Sequence, residues 1–320
     1  MPLVAASLMV HLALTSFVSV IWAFLAIRWL KIRYPAARAL ILAMNVLLPV
    51  GGLVTHFLYP QDCEGALGVL THMACVMGPA LGKAGKFLLA MGLVVAVSQL
   101  VASRMASRAI MRNAVPLESV TWDDQSVAAR MRGATARSAR ASGRPAKVYV
   151  TENPGTCCTV GIVRPVVLIS RQFCETMDGE ELEAVLAHEL AHVKRWDNGI
   201  ELLATLLRGL TFFSPAAYLA IKQYLYEREK AADDLAVQLT GNPLALASAI
   251  IKVARSGPGM ASANVTGDSK WGLTARVQRL LDGTGGFGSR EVEGEGQGVR
   301  WLPSVGAAVA GLVAIALLLC

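Results

Sequence analysis

A chain of 320 residues with a net charge of +7 has room for one or two domains. Its mean hydropathy of +0.48, with 17% of residues charged, is too apolar for a water-soluble enzyme and points to membrane-spanning segments. Six cysteines without a C-x-x-C pair exclude a zinc ribbon. The basic stretch 104–147 has nine Lys/Arg against three acids and a single aromatic residue, Trp122, which suits anionic lipid headgroups better than direct nucleic-acid binding.

Leu3 to Ile27 carries no charge and is long enough to span a bilayer. No basic stretch precedes it, and Arg28, Lys31 and Arg33 follow, so it reads as a retained first helix with its N-terminus outside. Ala39 to Tyr59 is the second expected span, tolerating Pro49, Gly51 and Gly52. Between them, four Lys/Arg from Arg28 to Arg38 mark a cytoplasmic loop. Asp62 and Glu64 place the next loop outside, where Cys63 and Cys75 could be bridged in an oxidising compartment. Gly65–Gly82 reads as interfacial or as an extension of the third span, Phe87–Ala102; Arg104, Arg108 and Arg112 then return the chain to the cytoplasm. His11 and His56, alone on apolar segments, read as packing residues.

A basic helix is expected over 123–141, broken at Ser142-Gly143-Arg144-Pro145. Strands follow at Lys147–Thr151 and Thr159–Ser170, separated by Asn153-Pro154-Gly155. Leu182, Val185, Leu186 and Leu190 then recur at helical spacing, and Asp178 with Glu181 reads as a capping box. Further helices are expected at Asn198–Thr211, from Pro215 to Gly241, at Asn242–Ala254 and at Thr274–Leu281, with Leu206–Leu219 a buried or membrane-grazing hairpin. Seven glycines between Gly283 and Gly298 make a linker, and Leu302–Leu319 is uncharged, a fourth span. The expected organisation is a three-helix membrane region (1–103), a catalytic domain (104–285), a linker (286–301) and a C-terminal transmembrane helix (302–320).

The chemistry is concentrated in His188-Glu189-Leu190-Ala191-His192. Two histidines four apart on a helix stand one turn above the other, so both rings can reach one ion. In the HExxH arrangement of zinc peptidases, two neutral imidazoles bind Zn²⁺ and the glutamate, here Glu189, takes a proton from the attacking water. A catalytic zinc needs a third protein ligand. Glu229 is the best candidate, and Asp233, one turn later, can accept the free N–H of a ligand histidine. The alternative is that both acids belong to a solvated face with Arg228 and Lys230. Asp197 reads as an anchor for the helix end, and Tyr226 and Arg228 are candidate oxyanion donors.

His188–His192 followed by Lys194-Arg195-Trp196-Asp197, then Arg228-Glu229-Lys230-Ala231-Ala232-Asp233, resembles the integral-membrane metallopeptidases typified by the BlaR and MecR antirepressors. Gly161–Ile169, Phe212-Phe213-Ser214-Pro215 and Arg276–Leu281 extend the similarity over roughly 145–285. It implies an α-helical membrane protein of about four transmembrane helices carrying an α+β gluzincin-like zinc metallopeptidase domain. His188, His192 and Glu229 would bind one Zn²⁺ per chain, with Glu189 as catalytic base. Ala232 departs from the cysteine many relatives carry. In a gluzincin-like fold, a strand beside the active-site helix can bind an extended peptide by edge pairing.

The resemblance implies a multi-pass protein of a bacterial-type inner membrane, with its catalytic domain facing the cytoplasm. It would cut a transcriptional repressor, another regulatory protein, or itself. The alternatives are an HtpX-like quality-control protease and a non-catalytic membrane receptor with a vestigial metal site. No Ser-x-x-Lys acylation motif occurs in the sequence, so the penicillin-binding sensor of the antirepressors is not expected here, and control would come from a separate sensor partner or from the membrane helices.

Overall fold

The computed structural model describes residues 2–44, 78–142, 146–210, 215–256 and 270–283, with 306, 307 and 310 beyond. The chain divides into two units, one of Met1–Ala102, Leu202–Glu227 and Gly294–Cys320, the other of Ser103–Glu201 and Arg228–Glu293.

The first unit contains α1 (Pro2–Trp29), α2 (Pro35–Met44) and the first part of α3 (Gly78–Met111). It also takes most of α7 (Asp197–Leu210) and the start of α8 (Pro215–Thr240). Small residues let these helices approach closely. A Cβ on Gly209 would lie 2.6 Å from the Ala96 Cα, so α7 and α3 touch backbone to backbone, as helices in lipid do. Val20 packs with Ala216 and Ala220. Phe17, Ile21, Phe24 and Leu25 of α1 are exposed, a surface suited to lipid rather than water.

Among the described residues one segment, Ala90–Met111, is long and apolar enough to cross a membrane. The expected Phe87–Ala102 span lies wholly within α3, which runs on past it to Met111. Helix α3 does not end at its first charge, because Arg104 and Arg108 lie four apart on one face, where their stems can follow the apolar surface to water. From Gly78 the ambiguous Gly65–Gly82 run belongs to α3. The second span beyond Met44, the Cys63–Cys75 loop, the linker beyond Gly283 and nearly all of Leu302–Leu319 lie outside the described residues.

The second unit is built on a four-stranded sheet in the order β1-β2-β4-β3. Its strands are β1 (Ala114–Pro116), β2 (Lys147–Thr151), β3 (Cys157–Val160) and β4 (Val166–Ser170). β2 runs parallel to β4, and the other pairings are antiparallel. The single strand expected over Thr159–Ser170 is instead a hairpin. Gly161 turns the chain at φ 93°, and a Cβ there would meet the Arg164 carbonyl oxygen at 2.9 Å, so glycine is required. β3 is thereby left as a free edge of the sheet.

Alternate residues of β2 (Val148, Val150) and β4 (Val167, Ile169) face one core. Above them lie Val127 and Met131 of α4 (Gln125–Ser142), Phe173 of α5 (Arg171–Thr176), and Leu182, Val185, Leu186 and Leu190 of α6 (Gly179–Arg195). This apolar stripe fixes which way α6 faces. α9 (Pro243–Arg255) and α10 (Lys270–Leu281) close its other side through Leu246, Ile250 and Leu280.

The start of α6 is set by the expected capping box. Asp178 accepts from the Glu180 and Glu181 amides, and Glu181 returns a bond to the Asp178 amide. Glu181 is buried and also accepts from Lys252 at 2.5 Å and Ser248 at 2.6 Å. Burial pushes its pKa up, but the Lys252 and Ser248 bonds outweigh that and hold it below 4.5. This stabilisation is present above pH 4.5 and is lost as pH falls through the lowered folded value. Glu181→Ala should cost about 1–3 kcal/mol, read as a lower melting temperature of the solubilised protein at pH 7, with the gap to wild type closing in acid. An equal gap at both pH values would contradict it.

Candidate metal centre

His188, Glu189 and His192 lie in the last two turns of α6. The helix ends at Trp196, whose left-handed backbone (φ 60°) turns the chain back at once into α7. That turn brings the first residue of α7, buried Asp197, to His192: its Oδ2 lies 2.7 Å from Nδ1. Asp197 is therefore more than the helix-end anchor the sequence suggests. It accepts the Nδ1 proton and leaves the Nε2 lone pair free to bind an ion.

His188 has the matching arrangement. Its Nδ1 lies 3.1 Å from Oδ1 of fully buried Asp233, though off the ideal hydrogen-bond line. Asp233 is fixed by Arg276 of α10, whose Nε and Nη2 donate to its two oxygens, each at 2.8 Å. Arg276 Nη1 also lies 3.2 Å from Glu229 Oε2. Arg228 donates to Glu229 Oε1 at 2.8 Å and pairs with Glu201. Its N–H groups thus serve Glu229 rather than standing ready as an oxyanion donor; Tyr226 is half-buried on the same helix.

The donor atoms of His188, His192 and Glu229 all lie within 4.8 Å of one another. The two Nε2 atoms are 3.3 Å apart, about the separation that two Zn–N bonds of ~2.05 Å make at a tetrahedral angle. Glu229 oxygens are 3.6 Å from His188 Nε2 and 3.8 Å from His192 Nε2. Two imidazoles and one carboxylate suit zinc, and Asp197 behind the His192 ring favours the tautomer whose Nε2 lone pair faces the other donors. The residues fit the metal that the HExxH pattern implies.

The electrostatics follow from burial among opposite charges. Burial lowers the His188 pKa, but Asp233 and Glu229 outweigh it and raise the imidazole to about 9. Burial raises the Glu229 pKa, while His192, Arg228, His188 and Arg276 together hold the carboxyl well below its usual range. Glu229 is therefore ionised, ready to act as a ligand.

Glu189 is buried, and β3 supplies its partners. Thr159 Oγ1 donates to Oε2 at 2.8 Å, and Cys157 Sγ lies 3.9 Å from Oε1. Cys157, Cys158 and Cys174 are free, and burial raises all three pKa values, the last two to about 12. A cleft of ≈ 280 Å³ is lined by His192 together with Thr159, Ile162, Pro165, Trp196 and Asn198.

Residues 79–280, well over half of the chain, match the family model described as BlaR1 peptidase M56. Among curated proteins, the chain is 30% identical over 160 residues to the "Protease HtpX homolog" of Pseudarthrobacter chlorophenolicus, covering 37% of this chain and 52% of the relative. It is 28% identical over 122 residues to "Protease HtpX homolog 2" of Methanosarcina mazei, covering 28% and 42%. The chain thus spans about half the length of the curated relatives it matches.

Proposed function

The chain belongs to the BlaR1 peptidase M56 family, and from that premise we propose that it is a membrane-held zinc endopeptidase with His188, His192 and Glu229 as ligands and Glu189 as base. The observation that carries this reading is the convergence within 4.8 Å of Glu229 from α8 with His188 and His192, the two histidines that flank Glu189 on α6. A zinc ion held there would bring the pKa of water down to about 7 and polarise the scissile carbonyl. Glu189 takes the proton of the attacking water and passes it to the leaving amine. Thr159 holds the Glu189 carboxylate in place for both transfers. Asp197 and Asp233 hold the two rings and their tautomers.

The substrate is a cytosolic or membrane regulatory protein such as a transcriptional repressor, cut on the cytoplasmic side of a bacterial-type inner membrane, and the chain itself is a second target. The names of the two relatives favour a second reading, HtpX-like quality control. Their matches cover less of this chain than the family model does, so it stands second.

Comparing the N-termini of proteins in cells with the wild-type chain and with Glu189→Gln separates these readings. Loss of a few cleavage sites in regulatory proteins is the expected result. Broad accumulation of damaged membrane proteins would favour quality control. Identical patterns would contradict a protease.

A further inference from the structure

The free edge of β3 is already partly occupied from within the molecule. The Ser170 amide donates to the Thr156 carbonyl at 2.8 Å, and Cys157 to Val160 pair with Ile169 to Val166 in the same antiparallel register. Backbone groups of alternate residues therefore point alternately toward β4 and away from it. Thr156, Cys158 and Val160 turn inward, while Cys157, Thr159 and Gly161 turn outward. The outward carbonyls are where an extended peptide would pair.

Two of these three carbonyls are taken. Asn198 Nδ2 donates to the Thr159 carbonyl at 2.9 Å and to the Gly161 carbonyl at 3.1 Å. With both contacts to acceptors, the amide nitrogen is the correct assignment for that atom. The carbonyls cannot easily turn elsewhere, because Gly161 is locked at φ 93° against Arg164. Thr159 is also the residue whose hydroxyl holds Glu189, and Asn198, Thr159 and His192 line one cleft. The occupied stretch of edge is thus the part beside the base.

Resting on the protease reading above, we propose that Asn198 is a specificity-determining residue: its carboxamide stands in for a substrate main chain on β3, and only an extended peptide able to displace it gains the edge beside Glu189. Folded proteins and short peptides lack the main-chain bonds to compete, whereas a long extended segment supplies them at several positions. Cys157 keeps the one outward carbonyl that Asn198 does not take, so entry begins there.

The test uses the zinc-loaded full chain in detergent micelles and dye-quenched β-casein as an unfolded probe. Asn198→Ala and the isosteric Asn198→Asp, neither able to donate at this position, should each lower KM by roughly 3- to 10-fold with kcat nearly unchanged, the size expected for removing one or two competing hydrogen bonds. If Asn198 merely braced β3, both variants would melt earlier and bind more weakly; that outcome, or an unchanged KM, overturns the proposal. A cleavage-independent arm measures anisotropy of fluorescein-labelled β-casein with Glu189→Gln alone and with Asn198→Ala added. Tighter binding by the double variant supports the gate even if the wild-type chain fails to cut casein, a failure that would fall on the protease reading instead. Equal, weaker or absent binding overturns the gate.

Discussion

Glu189→Gln is expected to abolish peptide cleavage while leaving bound zinc unchanged. The amide keeps the shape of the side chain and still meets the Thr159 hydroxyl, which sits 2.8 Å from Oε2. It has no lone pair basic enough to take a proton from water. General-base catalysis is worth roughly 10²–10⁴-fold, so kcat should fall by at least that factor. Because Glu189 is not among the three converging donors, metal content should stay at the wild-type level. Elemental analysis and a casein cleavage assay on one preparation check both halves. Activity within tenfold of wild type would remove Glu189 from the role of base, and loss of zinc would make it a ligand.

The second large effect is expected behind the metal. Asp197→Asn replaces the acceptor 2.7 Å from His192 Nδ1 with a group that can present its N–H there. Either the ring adopts the opposite tautomer, pointing a proton at the other donors, or the amide rotates and its contacts weaken. Partners of this kind are worth 10- to 100-fold in metal affinity, so the zinc dissociation constant should rise by about that factor in competition with a chromophoric chelator. The readout does not depend on turnover. Unchanged affinity would return Asp197 to the helix-end role its sequence position suggests.

That residue shows where the sequence stops being informative. The helix around His188 and His192 is legible because apolar spacing, capping box and motif all agree, and the structure sets Asp178 and Glu181 in just that box. Glu229 and Asp233 could be singled out because carboxylates one turn apart repeat the helical logic. The contact of Asp197 with His192 is not legible because it depends on a left-handed turn at Trp196, a conformation a bulky residue seldom adopts. Thr159 carries no mark of its role, because the Gly161 hairpin that places it on a free edge falls inside the single strand expected over Thr159–Ser170. Arg276 lies 43 residues from Asp233 in sequence, and no local pattern announces a contact of that range. The same holds for α3: charge marks where Arg104 and Arg108 stand, yet a helix continues through them when they share one face.

The central claim, one zinc held by His188, His192 and Glu229, is tested most directly by metal analysis of the purified full chain beside Glu229→Ala. The wild type should carry one zinc per chain. In Glu229→Ala two imidazoles remain, and most of the metal should be lost on dialysis against a mild chelator. Wild-type protein that binds no zinc, or a Glu229→Ala variant that keeps full occupancy, would contradict the claim.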